Sequence, residues 1–143
     1  MIVKLNNFLS NGKFGKLKLG DSKEFVLQIL SKPDYISAEG IKDLIWKYGN
    51  VEITFGIGGV VSIFLDLNDT EFSHKIEILD YTQLKGMNIQ ELKTILDTNN
   101  IPILRDYFVE EDEGKFFLPN LVNITFEENI LTSCSVCNPK NFI

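Results

Sequence analysis

Leu17-Lys18-Leu19-Gly20-Asp21-Ser22-Lys23-Glu24-Phe25-Val26-Leu27-Gln28-Ile29-Leu30 reads as a short lead-in and a capped helix, and strands follow it up to Leu67. Asp21 is placed to accept from the orphan N–H groups of the first turn, and Glu24 three residues on completes a capping box. Val26, Ile29 and Leu30 fall on one helical face. The strands are Leu44–Tyr48, Val51-Glu52-Ile53-Thr54-Phe55 and Val60–Leu65, where apolar and polar residues alternate at period two.

The same order recurs later in the chain. Leu84-Lys85-Gly86 parallels Leu19-Gly20, and Asn88 with Glu91 repeats the spacing of Asp21 with Glu24. Leu92, Ile95 and Leu96 stand 66 residues after Val26, Ile29 and Leu30, while Val122-Asn123-Ile124-Thr125-Phe126 stands 71 residues after Val51–Phe55. The chain therefore reads as two tandem repeats, about 15–68 and 84–137, with extra residues between the helix and third strand of the second.

At 143 residues the chain is long enough to bury a core as one compact domain, 1–143. Its 44% apolar content argues for a globular protein, and its net charge of −6 disfavours a phosphate backbone as partner. An acidic field is complemented by a cationic protein. Met1–Ser10 lacks the apolar run of a signal peptide, and no stretch suits a membrane span, which points to the cytoplasm. Two cysteines require no disulfide framework.

Residues 2–9 read as a short strand or ordered arm, and Pro33 ends the first helix near Ser31. Ala38-Glu39-Gly40 reads as a turn, Gly49-Asn50 as a tight reversal, and Lys75–Leu79 as a linking strand. Ile103–Val109 and Lys115–Leu118 form a hairpin around Glu110–Gly114, and Leu121–Phe126 turns at Glu127-Glu128-Asn129 into Ile130–Val136. The expected fold class is α+β: two helix-plus-antiparallel-strand units forming a sheet with helices on one face.

Gly20 with Val26, Leu30 with Pro33, and the strand pattern Trp46, Tyr48-Gly49, Val51-Glu52-Ile53 and Phe55 together resemble the helix-hairpin unit of the outer-membrane lipoprotein family of the barrel-assembly machinery. Duplicated, such units form the tandem-repeat fold of β-lactamase-inhibitor proteins. The resemblance covers roughly residues 15–67 and 84–136, and it implies a sheet whose open face grips another protein. In its compact, acidic character the chain is also similar to bacterial toxin-neutralising immunity proteins.

Few residues carry chemistry. Cys134-Ser135-Val136-Cys137 has the spacing of a redox pair, but no helix follows to depress a thiol pKa, and in a strand the two thiols face opposite sides. The lone His74 beside Ser73 has no accompanying oxyanion-hole motif, and Gly56-Ile57-Gly58-Gly59 leads into a strand where a phosphate loop needs a helix. No catalytic, metal or cofactor residue is therefore assigned. Outward-facing Glu52, Thr54, Phe64 and Asp66, with the acidic hairpin tip Glu110, Glu111, Asp112 and Glu113, are assigned to partner binding. Trp46 and Tyr48 share one face of their strand, and the spacing leaves open which; the N-terminal arm or a loop covering Trp46 and Phe64 is the alternative to an exposed anchor. The expected function is a non-catalytic inhibitor or immunity protein that occludes a basic toxin or enzyme. It acts as a monomer or weak homodimer, without membrane or nucleic acid. The alternatives are an adaptor or self-associating module and, third, a small enzyme with carboxylate-based chemistry.

Overall fold

Period-two burial builds this molecule. Val51, Ile53 and Phe55 are buried, and Glu52 and Thr54 between them are only half-buried, which is the mark of a strand with one side on a core. The computed structural model describes residues 1–39 and 43–138. The first half holds β1 (Ile2–Val3), α1 (Leu5–Asn11), α2 (Lys23–Leu30), β2 (Tyr35–Glu39), β3 (Asp43–Tyr48), β4 (Val51–Gly56) and β5 (Gly59–Asp66). After it come β6 (Glu77–Ile78), α3 (Tyr81–Leu84), α4 (Ile89–Thr98), β7 (Arg105–Glu110), β8 (Glu113–Phe117), β9 (Val122–Glu127) and β10 (Ile130–Cys137).

Eight strands form one antiparallel sheet in the order β2-β3-β4-β5-β10-β9-β8-β7, and β1 pairs in parallel with β6 in a separate ribbon. The seam at the middle is β5 against β10, held by five register pairs from Ser133–Asp66 to Cys137–Ser62. One apolar cluster takes Val51, Ile53, Phe55, Ile63 and Leu65 from the first strands and Phe116, Ile124 and Phe126 from the later ones. Each helix adds to that cluster: Leu5, Phe8 and Leu9 from α1, Val26 and Leu30 from α2, Tyr81 and Leu84 from α3, Leu92 and Leu96 from α4. Phe64, Phe117 and Ile45 lie outside it. Among the described residues no helix is long and apolar enough to cross a membrane.

This architecture corrects the expected α+β class with two tandem units. The described residues form mostly one eight-stranded antiparallel sheet with four short helices of 7, 8, 4 and 10 residues. Strands from the two halves of the chain pair directly at the β5–β10 seam, so the sheet shows no division into units. Apolar periodicity reports which face of an element is buried and leaves open which strand edges meet. Segments outside the supposed units also supply core, α1 in particular. Ile29 and Ile95, expected as equivalent core positions, are half-buried at the margin of the cluster, while Leu30 and Leu96 beside them are buried.

Local chemistry explains the remaining differences. Ser22 caps α2, its hydroxyl accepting from the Phe25 N–H at 3.1 Å, while Asp21 Oδ2 accepts from the Lys18 N–H at 2.8 Å. Asn88 caps α4 through the Glu91 N–H at 2.8 Å. Residues 2–9, read as a strand or arm, divide into β1 and α1, because Asp80 caps α1 from a distance: the Leu5 and Asn6 N–H groups donate to its two carboxylate oxygens at 2.7 and 3.0 Å. Ala38 and Glu39, expected in a turn, complete β2; Gly40 lies outside the described residues. The face of β3 is settled by burial: Trp46 is 6% exposed and Tyr48 fully buried, its hydroxyl donating to the Ser31 carbonyl at 2.8 Å. Trp46 packs edge-on against Phe55 at 4.6 Å between centroids.

Candidate functional site

The side of the sheet away from the core cluster gathers four of the eight assigned residues. Strand register sets Tyr35, Lys47, Glu52 and Phe64 in one row, and the row continues through Ser135, Asn123 and Phe117 to Arg105. Glu52 and Phe64 are direct cross-strand partners, Thr54 stands opposite Ser62, and Asp66 opposite Ser133. All four assigned residues are half-buried, so Phe64 is neither core nor fully open. Trp46, named with it, is excluded from this side by its burial.

The other four assigned residues stand apart. Glu110, Glu111, Asp112 and Glu113 are exposed at the turn between β7 and β8, at the far margin of the sheet. β8 is three strands from β5, about 14 Å at ordinary strand spacing. The acidic tip is larger than the sequence reading assigned. The Asn129 N–H donates to the Asp112 carbonyl at 2.8 Å, which brings Glu127 and Glu128 of the neighbouring β9–β10 turn alongside. Glu128 and Asn129 have φ of 52° and 60°, the twist a two-residue hairpin turn requires. Glu113, Glu127 and Glu128 border a concavity of about 460 Å³ that reaches Asn68 at the end of β5. Among the described residues no group of three or more His, Cys, Asp or Glu side chains is arranged to hold a metal ion.

Electrostatics on this side are modest. Lys47 Nζ lies 3.3 Å from Asp69 Oδ2, with both side chains partly exposed, so solvent screens most of their attraction. The Asp69 bond raises the Lys47 pKa, while Asp69 itself is lowered first by the Glu71 N–H and then by Lys47. His74 is exposed, and the Ser73 hydroxyl accepts from the Lys75 N–H at 3.2 Å.

A second concavity, of about 630 Å³, opens beside the same row between β7, β8 and the turn Pro119–Leu121. Leu104, Phe117 and Leu121 give it apolar walls, and Arg105 and Lys115 are the only charged side chains among its described lining. The Arg105 guanidinium stacks on the Phe117 ring at 4.2 Å. Asn120 and Leu121 both have positive φ, 63° and 64°; for leucine this left-handed geometry costs about 1–2 kcal/mol. The sequence reading missed this groove. Arg105 and Phe117 were read only as hairpin residues; the alternation of Phe117 with the buried Phe116 and Leu118 is the signal that could have found it, and Arg105 follows from it only through strand register.

The two cysteines part as strand alternation requires. Cys134 is fully buried, and burial pushes its thiol up to about 12; Cys137 is half-buried on the opposite side and is raised less, with Lys115 and the Ser62 hydroxyl opposing the shift. Burial likewise pushes the Tyr48 phenol up to about 12, with Asp34 adding to it. In both cases the unfolded chain loses its proton first, so stability is intact below pH about 9 and falls as pH rises toward 12. The expected slope from Cys134 is at most about 1.4 kcal/mol per pH unit, beginning near pH 9. Denaturant titrations of the wild type and Cys134→Ala at pH 8 and 10 read it. The variant should lose the part of the decline that starts before Tyr48 titrates, and identical pH dependence in both proteins refutes the assignment.

No protein-family model matches the chain, and no curated protein sequence does. The chain superposes on two solved structures. A DUF4309 family protein, YjgB, from Bacillus subtilis subsp. subtilis str. 168 superposes with a TM-score of 0.55 at 12% identity, covering 93% of this chain and 92% of that one. A cysteine-rich secretory protein, SAV1118, from Staphylococcus aureus subsp. aureus Mu50 gives a TM-score of 0.45 at 11% identity, over 98% of this chain and 50% of that one. At 12% identity the first likeness shows the fold alone. It runs through both halves of the sheet, in keeping with a single continuous architecture.

Proposed function

We propose that this protein is a non-catalytic binding module whose sheet side opposite the core, together with the acidic tip, seats a cationic protein. The observation that carries this reading is the position of Phe64: an aromatic outside the core cluster, beside Glu52 in register and half-covered by its neighbours. Such a partly desolvated aromatic within a polar surround has the character of an interface anchor. A net charge of −6, concentrated in part at Glu110–Glu113, Glu127 and Glu128, favours a basic partner by long-range attraction. An inhibitor or immunity protein acting in the cytoplasm by occluding a toxin or enzyme is the form of this function the surface suits best. Self-association is the second reading, favoured by edge strand β7, where Tyr107 and Val109 are 62% and 66% exposed.

Capture of the partner from the native source, followed by binding kinetics at two ionic strengths, tests both readings when the protein is also run against itself. Changing Glu110, Glu111 and Glu113 to Gln should slow association and reduce its salt dependence. Phe64→Ala should quicken dissociation, at about 2 kcal/mol or more for a hot spot, with little change in melting temperature. Unchanged kinetics in both variants would remove this surface from the site.

A further inference from the structure

We propose that the groove between β7, β8 and the Pro119–Leu121 turn is a binding site for an apolar carboxylic acid of medium chain length, its carboxylate held by Arg105 and Lys115 and its chain laid against Leu104, Phe117 and Leu121. Charge complementarity is the first argument. In a chain of net charge −6, these two cations stand together with no carboxylate in the described lining, and the one ion pair among the described residues, Lys47–Asp69, lies elsewhere. The Arg105 guanidinium lies over the Phe117 ring, and its planar fork offers N–H donors that match a carboxylate.

The second argument is shape. A concavity of about 630 Å³ with mainly apolar walls and a few polar groups falls in the size range of small-molecule sites, whereas protein partners need a broad area of roughly 800 Å² per side. The third is backbone geometry. Two successive residues without the freedom of glycine, Asn120 and Leu121, hold left-handed conformations, and the second presents a half-exposed leucine to the groove. Conformations of this kind persist where the surrounding structure enforces them, often at ligand sites. The groove lies at the far end of the same side of the sheet, but its lining includes none of Glu52, Phe64 or the acidic tip, so variants at Arg105 and Lys115 and variants at those residues decide the two proposals separately.

Cys137 lines the groove and Cys134 is fully buried, so the rate of Cys137 alkylation reports occupancy. Iodoacetamide modification, followed by mass spectrometry on the full chain, is measured with dodecanoate below its micelle concentration, and with dodecanol and acetate. Dodecanoate should slow the reaction by roughly tenfold or more at saturation, dodecanol less, and acetate not at all. Arg105→Gln and Lys115→Gln should each raise the half-protecting concentration by about tenfold, the scale of one charge-assisted hydrogen bond, with melting temperature unchanged. Equal protection by dodecanol, or no protection by dodecanoate, overturns the proposal. So does protection by polyglutamate alone, which assigns the groove to a macromolecule, or protection that emerges only when the chain is truncated after Asn138.

Discussion

Phe116→Ala is expected to cost about 3–5 kcal/mol of folding stability, the largest effect of any single truncation considered. Phe116 is fully buried and meets two rings edge-on, Phe108 at 5.7 Å and Phe126 at 5.2 Å between centroids, while Lys93 Nζ sits 5.7 Å from its centroid. Truncation removes the burial of the ring and both aromatic contacts, each of which adds about 0.5–1.5 kcal/mol beyond area. The strands around it are hydrogen-bonded on both sides, so the cavity collapses little. Guanidinium unfolding at constant m value measures the loss. Ile29→Ala and Ile95→Ala, at the half-buried margin, serve as smaller references. A loss below about 1 kcal/mol for Phe116→Ala would mean that this core is not packed as described.

Gly49→Ala comes next, at about 2–5 kcal/mol, through two separable causes. Gly49 is the first residue of the two-residue turn joining β3 to β4, with φ of 58°, which a side chain disfavours. A Cβ there would also collide with the Ser73 N and stand 2.7 Å from the Phe72 carbonyl carbon, both backbone atoms that cannot rotate away. Gly86→Ala isolates the first cause, because φ is 79° there and nothing lies within 4 Å of the new Cβ. The excess of Gly49→Ala over Gly86→Ala measures the close approach of residues 72–73 to the turn. Equal losses at the two positions would show that the segment moves aside freely.

Much of the strand content was legible in the sequence because alternation writes burial directly into residue type. Val51–Phe55, Val60–Leu65, Val122–Phe126 and Ile130–Val136 all lie in strands, and both tight turns have the expected glycine or acidic-asparagine chemistry. The long-range organisation was not legible. Helix α1 spans only 7 residues and takes its cap from Asp80, so nothing local marks its start. The tandem description failed for a related reason: similar local patterns in two parts of a chain do not say that the parts are separate bodies, and here β5 and β10 knit them into one sheet. Of the site residues, the grouping of Glu52 with Phe64 followed from period two, whereas the nearness of Glu127 to Asp112 depends on two turns meeting, which no spacing records.

The β5–β10 seam also bears on the order in which the protein can be made. Of the eight described sheet strands, β10 comes last in chain order, yet it lies not at a margin of the sheet but at its centre, bonded on both flanks. While β6 to β9 are being synthesised, β5 must wait with one flank of backbone donors and acceptors open, and its apolar residues Val61, Ile63 and Leu65 have only a partial shelter. The contacts that close the seam span about half the chain, so closure carries the loop entropy of a late, slow event. Until the β9–β10 hairpin is in place, the open flank of β5 is an unpaired strand edge of the kind on which a foreign strand can dock.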